Sequence, residues 1–386
     1  MKAVAGAALV AATLAMSACS SSGGSSSSTT AAAAGGSGSA AAGGDAGVQA
    51  AKAFSDKYLP QPQKIDVSVP LPSAPPTGKS AYYIINTDPA AVRVANGVKE
   101  AGQALGWKVT VLTFTDPTAA NGLILQAVQA KADFIGYIAV PSSLLTSGIA
   151  AARAANIPVF QSFDATPPAG KVNWIFGNIG GVQDFVLRGK ILADYVIAQS
   201  NGKANILMEN VPAFAVLTSF AQGFKDELKT NCPSCGYAEN NSPYTDVAGG
   251  KVPGIIVSYL RTHPKVNNVV FSTGGFGTGF PDAANAAGIK VGGSDGIQIT
   301  SQSISPANAK GIAAGQELAS VTANDEYQGW LVVDGMARYS VNASLEPNWK
   351  AATTPRIITK ETASEGDKSA APVDYQTQFK TLWKIS

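Results

Sequence analysis

The sequence has a single histidine, three cysteines and only 14% charged residues among 386, against the roughly 25% usual in soluble domains. With His263 as the one imidazole, a histidine base or a His-rich metal site has one candidate and little support. A formal net charge of +2 provides no basic field for phosphates, which argues against nucleic acid as a partner. No run approaches the ~20 apolar residues of a spanning helix, which argues against a multispanning membrane protein. What is abundant is small and apolar: 45% hydrophobic residues and 40 glycines, in a length that suggests two or three domains, each able to bury a core.

Lys2 precedes an Ala-, Val- and Leu-rich run to Ala15, too short to span stably, and residues 1–18 read as an export signal. Met16-Ser17-Ala18-Cys19 resembles the bacterial lipobox, which implies cleavage before Cys19 and acylation of its thiol and amine, anchoring the chain to the cell membrane from outside. Residues 19–47 are Ser, Gly, Ala and Thr with few exceptions. Such a stretch offers too little apolar surface to offset its ordering entropy and reads as a tether. Residues 48–77 are expected to form a short helix followed by a Pro-rich, extended lead-in.

From Lys79 onward, apolar strand-like runs alternate with helical periodicity, the pattern of an α/β fold with parallel sheets covered on both faces. Strands are expected at residues 81–85, 107–112, 134–138 and 157–160. Asp88 is placed to cap a helix whose Ala91, Val94, Val98, Ala101 and Leu105 share one face. After a less regular segment from 164 to 181 the pattern restarts. Strands are expected at 204–208, 268–271, 289–291 and 355–359, with a long helix over 325–341. This is a reading of two Rossmann-like, doubly wound lobes with a cleft between them. In such sheets ligands collect at the carboxyl ends of strands.

The order of segments PLPSAPPTGKSAYYI (70–84), AANIPVFQSFD (154–164), AGIKVGGSD (287–295) and EYQGWLVVDGMARY (326–339) resembles type I periplasmic solute-binding proteins, nearest to sugar-type members of high-GC Gram-positive bacteria. That resemblance implies a three-crossover hinge near 178–181, 323–324 and 345–350. It places 78–179 plus 324–345 in an N-terminal lobe and 180–323 plus 346–386 in a C-terminal lobe. It also implies a monomer without cofactor or catalysis that closes on a small molecule and delivers it to an ABC permease.

Carried over residue by residue, the resemblance places ligand contacts at Asp88, Asp164, Thr218, Thr273, Gly274, Asp295 and Asn324. Sugar-binding relatives stack rings on aromatics after the first strand, where this chain has Ala90 and Ala91. Arginines of the relatives match Ala165 and Thr218, and a glutamine matches Ala323. Small residues in place of Arg forks leave a roomier, less sugar-specific site. Phe163, Phe214, Phe276 and Phe280 are candidate apolar walls, with core packing as the alternative. A ligand-sensing ectodomain, a binder of a larger cyclic or aromatic compound, and a secreted enzyme on the same scaffold are the competing readings.

Cys232-Pro233-Ser234-Cys235 in an exported chain reads as a local disulfide, a clip on its loop rather than a major stabiliser. Gly292-Gly293-Ser294-Asp295-Gly296 fits a nucleophile elbow, but that fold places its His after the Ser and His263 precedes it. Gly275-Phe276-Gly277-Thr278-Gly279-Phe280 imitates a dinucleotide fingerprint with Phe280 at the third glycine position. Asp334 and Arg338, spaced i, i+4, read as a solvated helix pair.

Overall fold

The computed structural model describes residues 39–386; the export signal, Cys19 and the tether up to residue 38 lie outside them. The first helix, α1 (Ser39–Ser55), begins earlier than the helix expected at 48, taking in residues assigned to the tether. A 3-10 turn, Asp56–Tyr58, follows it and leads into the Pro-rich stretch.

The first lobe comprises β1 (Ser80–Ile85), α2 (Pro89–Ala104), β2 (Lys108–Thr113), α3 (Ala120–Gln129), β3 (Phe134–Ile138), α4 (Thr146–Ala154), β4 (Val159–Ser162) and β5 (Ile175–Ile179). Its five-stranded sheet has the order β2-β1-β3-β4-β5, with every pairing parallel. The expected strands are present within a few residues. The segment 164–181, read as irregular, contains β5, because Ile175 and Phe176 are buried against the edge of β4.

The second lobe begins with α5 (Val182–Gln199), β6 (Asn205–Asn210), α6 (Ala215–Asn231), β7 (Gly236–Asn241), α7 (Tyr244–Ala248), α8 (Val252–Thr262), β8 (Asn268–Phe271) and α9 (Phe280–Ala286). It continues with β9 (Gln298–Gln302), α10 (Pro306–Ala313) and β10 (Ala319–Thr322). The chain then returns to the first lobe through α11 (Asp325–Ser340) and α12 (Glu346–Trp349), adds β11 (Arg356–Ile358) to the second, and ends in α13 (Tyr375–Trp383). The second sheet runs β11-β10-β9-β8-β6-β7, with β11 antiparallel to β10.

The strand expected at 289–291 is not formed; Val291 makes only an isolated bridge to Ile297. The strand itself lies further on, at β9, whose polar sequence QITSQ hides it from a hydrophobic pattern although its last four residues are buried. β7 is likewise a polar edge strand, GYAENN.

Each lobe closes where two helices cross on small residues. A Cβ on Gly97 of α2 would stand 2.0 Å from the Glu326 carbonyl of α11, and one on Gly329 would stand 2.3 Å from that of Val94. In the second lobe, a Cβ on Gly189 of α5 would lie 2.2 Å from the Phe220 carbonyl of α6. Only glycine allows backbones this near one another.

The last helix departs from the expected division. α13, assigned to the second lobe, packs on α11 in the first: Tyr375, Phe379, Leu382 and Trp383 join that lobe's core. This roof also changes the reading of Asp334 and Arg338. They form a 2.8 Å ion pair with almost no exposure, rather than a solvated contact. Asp334 accepts from Trp383 Nε1 at 2.8 Å and Asn348 Nδ2 at 3.1 Å, and Arg338 donates to the Val69 carbonyl at 2.6 Å. A buried pair is tolerated only with partners of this kind.

Candidate functional site

The chain leaves the first lobe at the carboxyl end of β5 and the second at the carboxyl end of β10. Both parallel sheets therefore turn their carboxyl ends, and the loops that follow the strands, toward the crossovers, the side on which open parallel sheets take their ligands. These loops carry most of the residues singled out in the sequence.

In the first lobe, Asp88 is exposed after β1 and its Oδ1 accepts from Ala90 N at 2.7 Å, capping α2. Ala91 is buried beneath it, so no ring platform exists there. Asp164, after β4, is buried and held by its own lobe: it accepts from Ser142 N at 3.0 Å, Thr166 N at 2.9 Å and the Tyr137 hydroxyl at 3.4 Å. Its carboxylate organises the 164–174 loop through these donors. Phe163, at φ +56°, packs edge-to-face on Phe185 of α5 with ring centroids 5.9 Å apart, so it joins the two lobes at the hinge.

In the second lobe, Thr218 is exposed in the first turn of α6. Thr273, half-buried after β8, opens a 3-10 turn over Gly274–Gly277. Gly274 is buried beneath a close approach, where a Cβ would meet Asn308 Oδ1 at 2.5 Å. Phe276 is half-buried against the lobe's core and Phe280 is fully core. Asp295 has a different place from the one expected: it precedes β9, at the amino end of the sheet, and pairs at 2.6 Å with Lys290 on the surface, its side chain 66% exposed. The misplaced strand is the reason, since the residues after the true β9 are Ser303 and Ile304. Asn324 is buried and consumed as the cap of α11, accepting from Tyr327 N at 2.7 Å and donating to the Asp367 carbonyl at 3.3 Å.

Three residues near the groove were not singled out by sequence reasoning. Gln302, buried at the end of β9, has an amide oriented so that its oxygen accepts from Arg188 Nη1 at 2.8 Å and its nitrogen donates to Thr273 Oγ1 at 3.2 Å. Arg188 of α5 donates to Thr353 Oγ1 at 2.8 Å and Gln328 Oε1 at 3.3 Å. It thus ties the floor of the second lobe to α11 of the first and to the last crossover. Tyr244, after β7, is 51% exposed and meets Phe214 edge-to-face with centroids 5.4 Å apart. All three escaped because β9, α5 and β7, the elements that carry or precede them, do not show a hydrophobic pattern that was recognised.

The hinge is strongly charged for a chain so poor in charge. Asp325 pairs with Arg93 at 2.7 Å, and Asp367 approaches Arg93 at 3.6 Å. Burial raises the Asp325 carboxyl to about 7, with Arg93 opposing the rise. Cys232 and Cys235 are joined by a disulfide at the end of α6, next to Gly202 and on the opposite end of the sheet from the groove. His263 is exposed and stacks on Tyr259 with centroids 3.9 Å apart.

Two parallel-sheet lobes that turn their carboxyl ends toward the crossovers joining them define the architecture of a two-lobed small-molecule binder. A family model described as "Periplasmic binding protein domain" matches residues 81–343, and the chain belongs to that family, an extracytoplasmic, non-enzymatic solute-binding class. No curated protein matches significantly. Among solved structures, a periplasmic ribose ABC transporter protein from Conexibacter woesei has a TM-score of 0.66 at 18% identity, covering 76% of this chain and 95% of that one. A 5-methylthioribose transporter solute-binding protein from Thermotoga lettingae has a TM-score of 0.62 at 18% identity, covering 82% and 95%. A carbohydrate transporter from Acidothermus cellulolyticus, in complex with myo-inositol, has a TM-score of 0.60 at 20% identity, covering 76% and 98%. At these identities the likeness is one of fold.

Proposed function

We propose that this protein is the binding component of an ABC importer, anchored outside the cell through Cys19, whose lobes close on a small carbohydrate-like solute and present it to a permease. The observation that carries this reading is that both sheets turn their carboxyl ends toward the crossovers, with exposed hydrogen-bonding groups at Asp88 and Thr218 and half-buried Thr273 beside them. Closure follows when a ligand touching both lobes binds the closed state more tightly than the open one. The neighbouring structures with ribose-type, methylthioribose and inositol descriptions support a neutral polyol or sugar as the solute.

The rim favours a ligand with an apolar face. Its aromatic pair, exposed Tyr244 and half-buried Phe214, lies on the second lobe, while the first lobe offers Ala90 there. Asp164, Asn324 and Arg188 are already bonded within the protein, so specificity falls to the exposed hydroxyls and carboxylate. A thermal-shift screen with ribose, 5-methylthioribose, myo-inositol, aromatic acids and sterol-like compounds tests the reading, since a ligand of the native state raises the melting point. A saturable shift with a sugar or polyol, weakened by both Asp88→Ala and Tyr244→Ala, is expected. A hit confined to another class, or one indifferent to both substitutions, would overturn it.

A further inference from the structure

Besides the crossovers at 180–181, 323–324 and 350–355, the chain passes between the lobes twice more. α1 rests on the second lobe through Val48, Ala51 and Phe54, whereas Val67 and Leu71 are core residues of the first. Residues 59–65 join them. At the other terminus, Ser369 and Ala370 are held on the second lobe and Tyr375 is in the first lobe's core. Residues 371–374 join those, with Ala371 already touching the first lobe's core.

These two straps run side by side and are clamped together at both ends. On the second lobe, Arg356 of β11 donates to the Leu59 carbonyl at 2.8 Å and to the Ser369 carbonyl at 2.6 Å, gripping the start of each. On the first lobe, Gln378 of α13 accepts from Ile65 N at 3.1 Å and donates to the carbonyls of Gln63 at 3.1 Å and Val373 at 2.6 Å, gripping the end of each. Between the clamps, Val373 N donates to the Pro62 carbonyl and Gln61 Nε2 to that of Ala371, both at 3.0 Å.

Pro60, Pro62 and Pro372 fix φ within the straps, and residues 60–64 reach at most about 17 Å when fully extended. Asp66, just beyond the clamp, accepts from Ala352 N at 2.6 Å and so joins the straps to the last crossover. We propose that residues 59–65 and 371–374 form a brace, closed by Arg356 and Gln378, that widens the hinge into a band and restrains separation of the lobes. The brace is independent of which solute is bound. Its consequence is a ligand-free protein with a narrow range of lobe separations, because opening must stretch two short, cross-bonded segments as well as bend the crossovers.

Spin labels on Ser143→Cys and Thr278→Cys, exposed at the rims of the two lobes, report the separation by electron-electron resonance in a full chain carrying Cys19→Ser. Flexible inserts of about six Gly/Ser residues after Pro62 and after Val373 slacken both straps while leaving their anchors in place. Without ligand, the slackened chain is expected to show a distance distribution roughly twofold broader than the parent and displaced to longer distances. An unchanged distribution overturns the brace. If circular dichroism shows that the double insertion does not fold, Gln378→Leu, which releases both straps at one end, decides: broadening upholds the brace and the parental distribution refutes it.

Discussion

Trp383, near the end of the chain, lies stacked on Trp330 of α11, the ring planes 9° apart and the centroids separated by 5.3 Å. Both indoles are essentially inaccessible, and Trp383 Nε1 donates to Asp334 Oδ1 at 2.8 Å. The chain terminus is therefore part of the first lobe's core, and several measurable consequences follow from this and neighbouring contacts.

Trp383→Ala removes a buried indole and orphans one oxygen of the Asp334 carboxylate. A loss of about 3–5 kcal/mol of unfolding free energy is expected, read as a lower midpoint in denaturant. Preserved stability would show that α13 is dispensable to the core.

Arg338→Met leaves the Asp334 carboxylate without its cation in a site of almost no exposure. Breaking a buried pair in this way costs about 3–5 kcal/mol. Replacing both residues with apolar ones of similar volume is expected to recover much of that loss, and a double-mutant cycle measures the coupling.

Asp164→Ala is expected to act on stability first, by about 2–3 kcal/mol, since it abandons the buried donors of Ser142 and Thr166. Amide hydrogen exchange should accelerate across residues 164–174. By contrast, Asp295→Ala at the exposed end of the sheet should change stability by less than about 0.5 kcal/mol. It should also leave the affinity for any screened sugar or polyol unchanged in calorimetry.

Stability should fall as pH rises from about 4 to 7. Burial lifts Glu317 and Asp325 to about 7 and Asp194 to about 6. The native state thus holds these protons where the unfolded chain, with ordinary carboxyl pKa values near 4, has released them. Their contribution is complete below pH 4 and lost as pH passes through the native values. Glu317→Gln, which keeps an acceptor for Asn308 Nδ2, should flatten the melting temperature between pH 5 and 8. A wild-type protein that gains stability over that interval would contradict the assignment.

The division of labour between sequence and structure is visible in particular elements. Apolar runs such as residues 81–85, 134–138 and 268–271 were legible as strands because buried parallel strands are hydrophobic on both faces. The i, i+3, i+4 stripe of residues 91–105 fixed its helix in the same way. With the alternation of these units, the doubly wound class and the two lobes followed, as did the local disulfide at Cys232 and Cys235 from a spacing of three residues.

Tertiary structure alone decided where polar residues belong. β9 buries Ser301 and Gln302 because β10 and α5 supply their partners, and no periodicity records partners so far away in sequence. The same reason moved Asp295 to the wrong end of a sheet, gave Asp164 and Asn324 partners as loop and helix anchors, and hid Asp334–Arg338 in the core. Hydrophobic burial is written locally, residue by residue; whether a hydrogen-bonding group is free or already satisfied depends on what the folded chain brings beside it.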